Sequence, residues 1–264
     1  MDISVVIFLL FGLFSVVAGY MLEGGQATAL LGATAAIIVF GGTIGATGLS
    51  FPMDILKRIP KIFKVLFNPR KTDLPALISY FKEVSYKTRK NGLLSLEGEV
   101  SNDPNLDPFI KKGLQLVVDG VDPQAVRSIL ELELDSMSER HREGADIFES
   151  AGGYAPTMGI VGTVMGLVHV LGNLEDTSTL GPKIALAFLA TLYGIGSANL
   201  LWLPIGNRLK EADEKEVKEK TLIIEGVLYI QEGINPNTIA EKLKSFLNKE
   251  ELLRYEELEG KAQV

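Results

Sequence analysis

Two threonines, Thr163 and Thr191, are the residues of this chain best suited to handling a cation inside an apolar span. Each lies in a stretch of membrane-crossing length: AGGYAPTMGIVGTVMGLVHVLGN, starting at Ala151, and LGPKIALAFLATLYGIGSANLLWLP, ending at Pro204. A hydroxyl oxygen can stand in for part of an ion's water shell, and two at one level could line a polar lumen. If the first stretch enters near Ala151 and the second leaves near Ile205, each threonine is about 20 Å from the inner end of its helix. The competing reading is local, since a membrane threonine can bond the carbonyl four residues back and merely pack. Neither stretch holds an Asp or a Glu. A route for cations needs an ionisable carrier, so the absence implies that a partner supplies it.

Other residues offer chemistry of lesser reach. Pro156 and Pro204 fall at matching depth near the inner face, about one turn inside their helices, where a missing N–H makes a kink or hinge. His169 lies near the outer end of its span, where a proton relay competes with packing or hydration. Trp202 reads as an interfacial belt residue. Glu175 and Asp176, in the outer connection, could gather cations at a pore mouth or be simply solvated. Arg89 and Glu97 flank Asn91-Gly92, where charge of both signs at a helix junction suits electrostatically steered docking of a partner; a solvated helix face is the plainer reading.

The elements that must position these residues are helical. The 264 residues are 47% hydrophobic and 22% charged with mean hydropathy +0.22, which requires the two kinds to be segregated along the chain. Ile3 to Met21 and Leu30 to Leu49 form a first pair of spans, each near the roughly 20 residues that cross a bilayer. The first lacks the basic start of a signal peptide. Lys57, Arg58, Lys61, Lys64, Arg70 and Lys71 follow the second span, Arg208 and Lys210 follow the fourth, and the outer connections Glu23 to Gln26 and Asn173 to Pro182 carry none. The positive-inside rule therefore puts both termini and both long polar segments in the cytoplasm.

The organisation expected is transmembrane helices 1–2 over residues 3–50, a cytoplasmic helical domain over 51–150, helices 3–4 over 151–205, and C-terminal cytoplasmic helices with a tail over 206–264. Leu74, Leu77, Ile78, Phe81 and Val84 keep helical spacing until Asn91-Gly92. Asp122-Pro123 starts a long helix that leads into the third span, and Asn235-Pro236 starts a last amphipathic one. The tail after about Glu250 reads as loose. GGTIGATG, from Gly41 to Gly48, suits close helix packing rather than phosphate binding. With no cysteine and no Walker loop, zinc spacing or nucleophile elbow, the chain reads as a non-enzyme with no catalytic residue, metal or cofactor. A net charge of −7 argues against nucleic acid.

The span GYAPTMGIVGTVMGLVHVLG followed by AFLATLYGIGSANLLWLPIGNRLK, behind a long cytoplasmic loop, resembles the MotA/PomA family of flagellar stator subunits over essentially the whole chain. The resemblance implies an all-α subunit of a homo-oligomeric ring, a pentamer, in the bacterial inner membrane. It implies a single-span, peptidoglycan-binding MotB-type partner whose membrane Asp carries the ion. Position by position, Arg89 in TRKNGLLSLE and Glu97 match residues that face the rotor protein FliG. Pro156 and Pro204 match prolines linked to ion flow and conformational change. Thr191 matches a threonine near the partner's Asp, and Thr163 a position that is often Thr in sodium-driven members. Sodium-driven members tend to carry two adjacent threonines on the fourth span; here the first is Ala190. The translocated ion is accordingly expected to be the proton, with Thr163 arguing for sodium. The alternative is an ExbB/TolQ-type energiser of outer-membrane processes, which usually has three spans with its long loop after the first.

Overall fold

The computed structural model describes residues 3–68, 72–98, 106–172 and 177–262, and these divide into two compact units. One unit joins Met1–Arg70 to Arg140–Ala212; the other joins Lys71–Glu139 to Asp213–Val264. Among the described residues every regular element is helical.

Four helices are long and apolar enough to cross a membrane: Ser4–Leu22, Ala27–Ser50, and the apolar parts of Pro123–Leu171 and Leu180–Gln231. Ser4–Leu22 buries no residue within the chain, because it is apolar on every side and has no polar face to turn outward. The second span begins with a 3₁₀ turn, Ala27–Leu30, and an extended Leu31 breaks it from the helix that follows. That break would leave backbone groups unpaired in hydrocarbon. Tyr193 closes it: its hydroxyl accepts from the Gly32 N–H at 2.9 Å and donates to the Leu30 carbonyl at 2.5 Å.

The other unit is a bundle around a single apolar core. Helix Leu74–Asn91 buries Leu74, Ile78, Phe81 and Val84, the expected stripe, with Leu77 at its margin. They pack with Leu114 of Pro108–Val118, Leu130 of the long third helix, and Leu222, Ile223 and Val227 of Leu203–Gln231. Gly226 is required here, since a Cβ would lie 2.7 Å from the Phe81 ring. Buried Lys220 meets both oxygens of Asp107 at 3.0 Å and lies over the Phe109 ring. Asp107 also caps the helix it precedes by accepting from Phe109 N–H.

The helix boundaries follow the expected signals. Asp122 caps the helix from Pro123, and Asn235 caps Pro236–Leu243. Gly92, at φ +81°, ends Leu74–Asn91 in a conformation that disfavours other residues. The tail corrects the expectation: Lys249–Ala262 is a helix, not loose chain. Tyr255 is 2% exposed in the core, and Arg254–Asp73 and Lys82–Glu259 ion pairs tie the helix to Leu74–Asn91 and its cap. Periodicity does not reveal this helix, because a single tyrosine is its buried anchor while Leu253 and Leu258 stay exposed among charged residues.

Candidate functional site

Spans three and four meet along a seam of small residues. A Cβ on Gly159 would lie 2.9 Å from the Ala190 carbonyl oxygen, one on Gly166 2.5 Å from the Ala187 Cβ, and one on Gly194 2.5 Å from the Ala155 carbonyl oxygen. The two backbones are thus nearly in contact, as glycine permits in membrane helices. Gly162-x-x-x-Gly166 is the sequence signal for this seam. In Gly41 to Gly48, by contrast, only Gly42 is packed closely, against Met158; a Cβ on Gly41, Gly45 or Gly48 would meet nothing within 4 Å.

That close approach brings Thr163 and Thr191 together. Their hydroxyl oxygens are 2.5 Å apart, and both side chains are half-buried. Thr163 Oγ1 also lies 3.1 Å from the Gly159 carbonyl of its own helix and 3.1 Å from the Ala187 carbonyl of the other. A threonine hydroxyl has one proton to donate and lone pairs with which to accept. Thr191 can therefore donate to Thr163 while Thr163 donates to either carbonyl. The local bond is thus present together with one across the two spans. The pair can pass a hydrogen bond along but cannot hold a net charge.

Next to the seam a cavity of about 320 Å³ is lined by Thr34, Ile38, Gly162, Ala187 and Ala190, with His169 and Lys183 also on its wall. Ala190 is 2% exposed, and a Cβ on Gly162 would lie 2.6 Å from its own Cβ. The side chain at position 190 is therefore turned to the seam's packed flank rather than to the Thr163–Thr191 pair.

Pro156 lies inside the continuous helix Pro123–Leu171 and leaves the Gly152 carbonyl without its usual donor. Gly152 packs against Leu203 and Trp202, beside Pro204. Pro204 is thus nearest the level of Gly152, one turn before Pro156, rather than at the matching depth expected of the two prolines. Pro204 follows a π-turn, Ala198–Trp202, in which the Leu203 N–H donates five residues back to the Ala198 carbonyl. Such a turn loosens the helical ladder where proline would otherwise clash, and π-turns are concentrated at functional sites. A second π-turn, Ile37–Gly41, lies in the second span. Neither was legible in the sequence. Trp202 is half-buried against a cluster containing Phe148 and Ile205, more enclosed than a belt residue. Glu175 and Asp176 lie outside the described residues.

Arg89 and Glu97 belong to the bundle unit and flank the Gly92 turn. Both are exposed, and neither makes an ion pair or side-chain hydrogen bond among the described residues. Lys87, two residues earlier, is instead paired to Glu83 at 3.1 Å. Leu94, 72% exposed on the same turn, is a residue the charge pattern alone did not single out.

Comparison with known proteins places these features in context. Residues 101–221 match the MotA/TolQ/ExbB proton channel family, and residues 6–92 match the Motility protein A N-terminal family. Motility protein A of Bacillus subtilis is 38% identical over all of this chain and 97% of its own length. Chemotaxis protein PomA of Vibrio alginolyticus is 36% identical over 94% of this chain and 96% of its own. Among solved structures, the flagellar MotAB stator complex from Bacillus subtilis superposes with a TM-score of 0.88 at 38% identity, covering 95% of this chain and 98% of the other. The MotAB structure from C. jejuni gives 0.88 at 30% identity, covering 94% and 97%.

Proposed function

This chain belongs to the motility protein A family of flagellar-motor stator subunits, and we propose that it couples proton flow across the inner membrane to torque on the rotor. The shared proton-channel match extends to the outer-membrane energisers, but the match over residues 6–92 covers spans one and two and favours the motor. In the proposed assembly a ring of five copies surrounds a MotB-type single-span partner whose membrane Asp carries the proton. Both termini and the bundle unit lie in the cytoplasm. No covalent chemistry is assigned to the chain.

The observation that carries this reading is the Thr163–Thr191 contact on two spans that lack a carboxylate. Those hydroxyls can exchange hydrogen bonds with a partner's carboxyl as it gains and loses its proton, while the charge stays on the partner. Sodium would have to trade its water shell for several fixed oxygens, whereas the contact between the two spans offers a single pair of hydroxyls, Thr163 and Thr191. Pro156, inside its helix, and Pro204, just after a π-turn, are the points at which the spans flex during the cycle. Arg89 and Glu97, exposed on either side of the Gly92 turn, meet complementary charges on FliG.

Affinity purification of the tagged chain from membranes tests the assembly. A co-purifying single-span protein with a membrane Asp and a peptidoglycan-binding domain is expected; a chain that purifies alone yet conducts ions would overturn it. Thiol labelling at position 120 tests topology, with reactivity from outside the cell contradicting the cytoplasmic placement.

A further inference from the structure

The segment after the second span has a pattern that torque generation leaves unused. Met53–Leu56 and Ile59–Phe67 are short helices joined by Lys57 and Arg58, and in the second Lys61 and Lys64 alternate with Ile59, Phe63 and Leu66. Arg58 is neutralised by Glu143 at 3.1 Å and lies 3.8 Å from Asp54. Lys57, Lys61 and Lys64 are exposed, and none is in an ion pair among the described residues. Three such lysines immediately beyond a membrane span, two of them on a helix with an apolar side, form the pattern of a surface that attracts anionic lipid.

A second observation is independent of charge. A cavity of about 250 Å³ lies where Ile59 and Phe63 face Ile44, Thr47 and Gly48 of the second span and Trp202 of the fourth. Its wall is almost wholly apolar. Three polar atoms of its lining residues are buried without a hydrogen-bond partner: Thr43 Oγ1, Thr47 Oγ1 and Trp202 Nε1. A threonine can rotate to a carbonyl of its own helix, but an indole N–H only donates and has no such fallback. An apolar slot with an unanswered donor and loose cations nearby matches, in turn, the acyl chain, ester carbonyl and phosphate of one phospholipid.

We infer that this cavity binds an anionic phospholipid of the cytoplasmic leaflet, with an acyl chain against Ile59, Phe63 and Gly48. The ester region accepts from the Trp202 N–H, and the headgroup lies among Lys57, Lys61 and Lys64. Only the choice of leaflet depends on the topology proposed above; the headgroup preference stands or falls without it.

The test uses the intact complex with its partner, in nanodiscs of equimolar phosphatidylglycerol and phosphatidylcholine, with retained lipid counted by native mass spectrometry. The wild type is expected to retain phosphatidylglycerol several-fold over phosphatidylcholine. Replacing Lys57, Lys61 and Lys64 together by Gln, all exposed and so without folding cost, should abolish the preference. Gly48→Leu fills the cavity, where a Cβ meets nothing within 4 Å, and should lower retention of both lipids. A wild type with no headgroup preference, a triple variant that keeps it, or Gly48→Leu with undiminished retention would each overturn the site.

Discussion

Thr163 and Thr191 touch hydroxyl to hydroxyl, 2.5 Å apart, across two helices that can approach this closely only because Gly159 and Gly194 have no side chains. Replacing Thr191 by Val keeps the shape and removes one of the two hydroxyls. A hydrogen bond to a charged group is worth about 1.5 to 3 kcal/mol, so losing one at the partner's carboxylate should slow rotation about tenfold or more. The complex itself should still assemble. Bead rotation together with membrane abundance separates the two effects, and full-speed rotation would remove Thr191 from the ion path.

The seam should tolerate almost nothing larger. Gly194→Val would drive a methyl-bearing carbon against the Ala155 backbone oxygen, which cannot swing aside. Overpacking of this kind costs about 1 to 3 kcal/mol or more, and the complex should be lost from the membrane. Gly45→Ala, with open space at its Cβ, should leave the melting temperature of the purified complex unchanged or slightly higher.

Arg89→Glu should impair swimming while the complex stays in the membrane, and a compensating charge reversal on the rotor should recover part of it. Exposed ion pairs are worth only about 0 to 1 kcal/mol each, so neutral substitutions should be mild. Swimming by Arg89→Glu cells that matches wild type at every load would refute the docking role.

Tyr255 makes a pH-dependent contribution to the bundle. Burial, and then the neighbouring Glu259, pushes its hydroxyl above the ordinary tyrosine value. A group whose folded pKa is raised stabilises fully below its unfolded pKa, about 10 for tyrosine, and that contribution is lost as pH rises beyond it. Thermal scans should therefore show the wild type losing stability above pH 10 more steeply than Tyr255→Phe. Parallel curves would show that Tyr255 is not buried in solution.

Much of this architecture was written in the sequence at the level of periodicity. The Leu74 to Val84 stripe, the caps at Asp122 and Asn235, and the break at Gly92 each act within a few residues, so local spacing reveals them. The Thr163–Thr191 level was reachable by counting rise per residue, because both helices run unbroken through that region. The contact was not reachable, because it depends on glycines that act only when two distant helices meet. Tyr193 bridging Leu30 and Gly32, the π-turn before Pro204, and Tyr255 anchoring the last helix are likewise tertiary facts. Each answers a need, an unpaired amide, a missing donor or an open place in the core, that exists only once the chain is folded.

The most direct measurement is bead-rotation speed in cells whose only stator is this chain with its partner, at fixed proton-motive force, with sodium stepped up from a sodium-free medium. Rotation without sodium, at a speed that stays flat as sodium is added, is the predicted result. A bead that never turns would contradict the stator assignment, and a speed that rises and saturates with sodium would contradict the proton and make Thr163 and Thr191 sodium ligands.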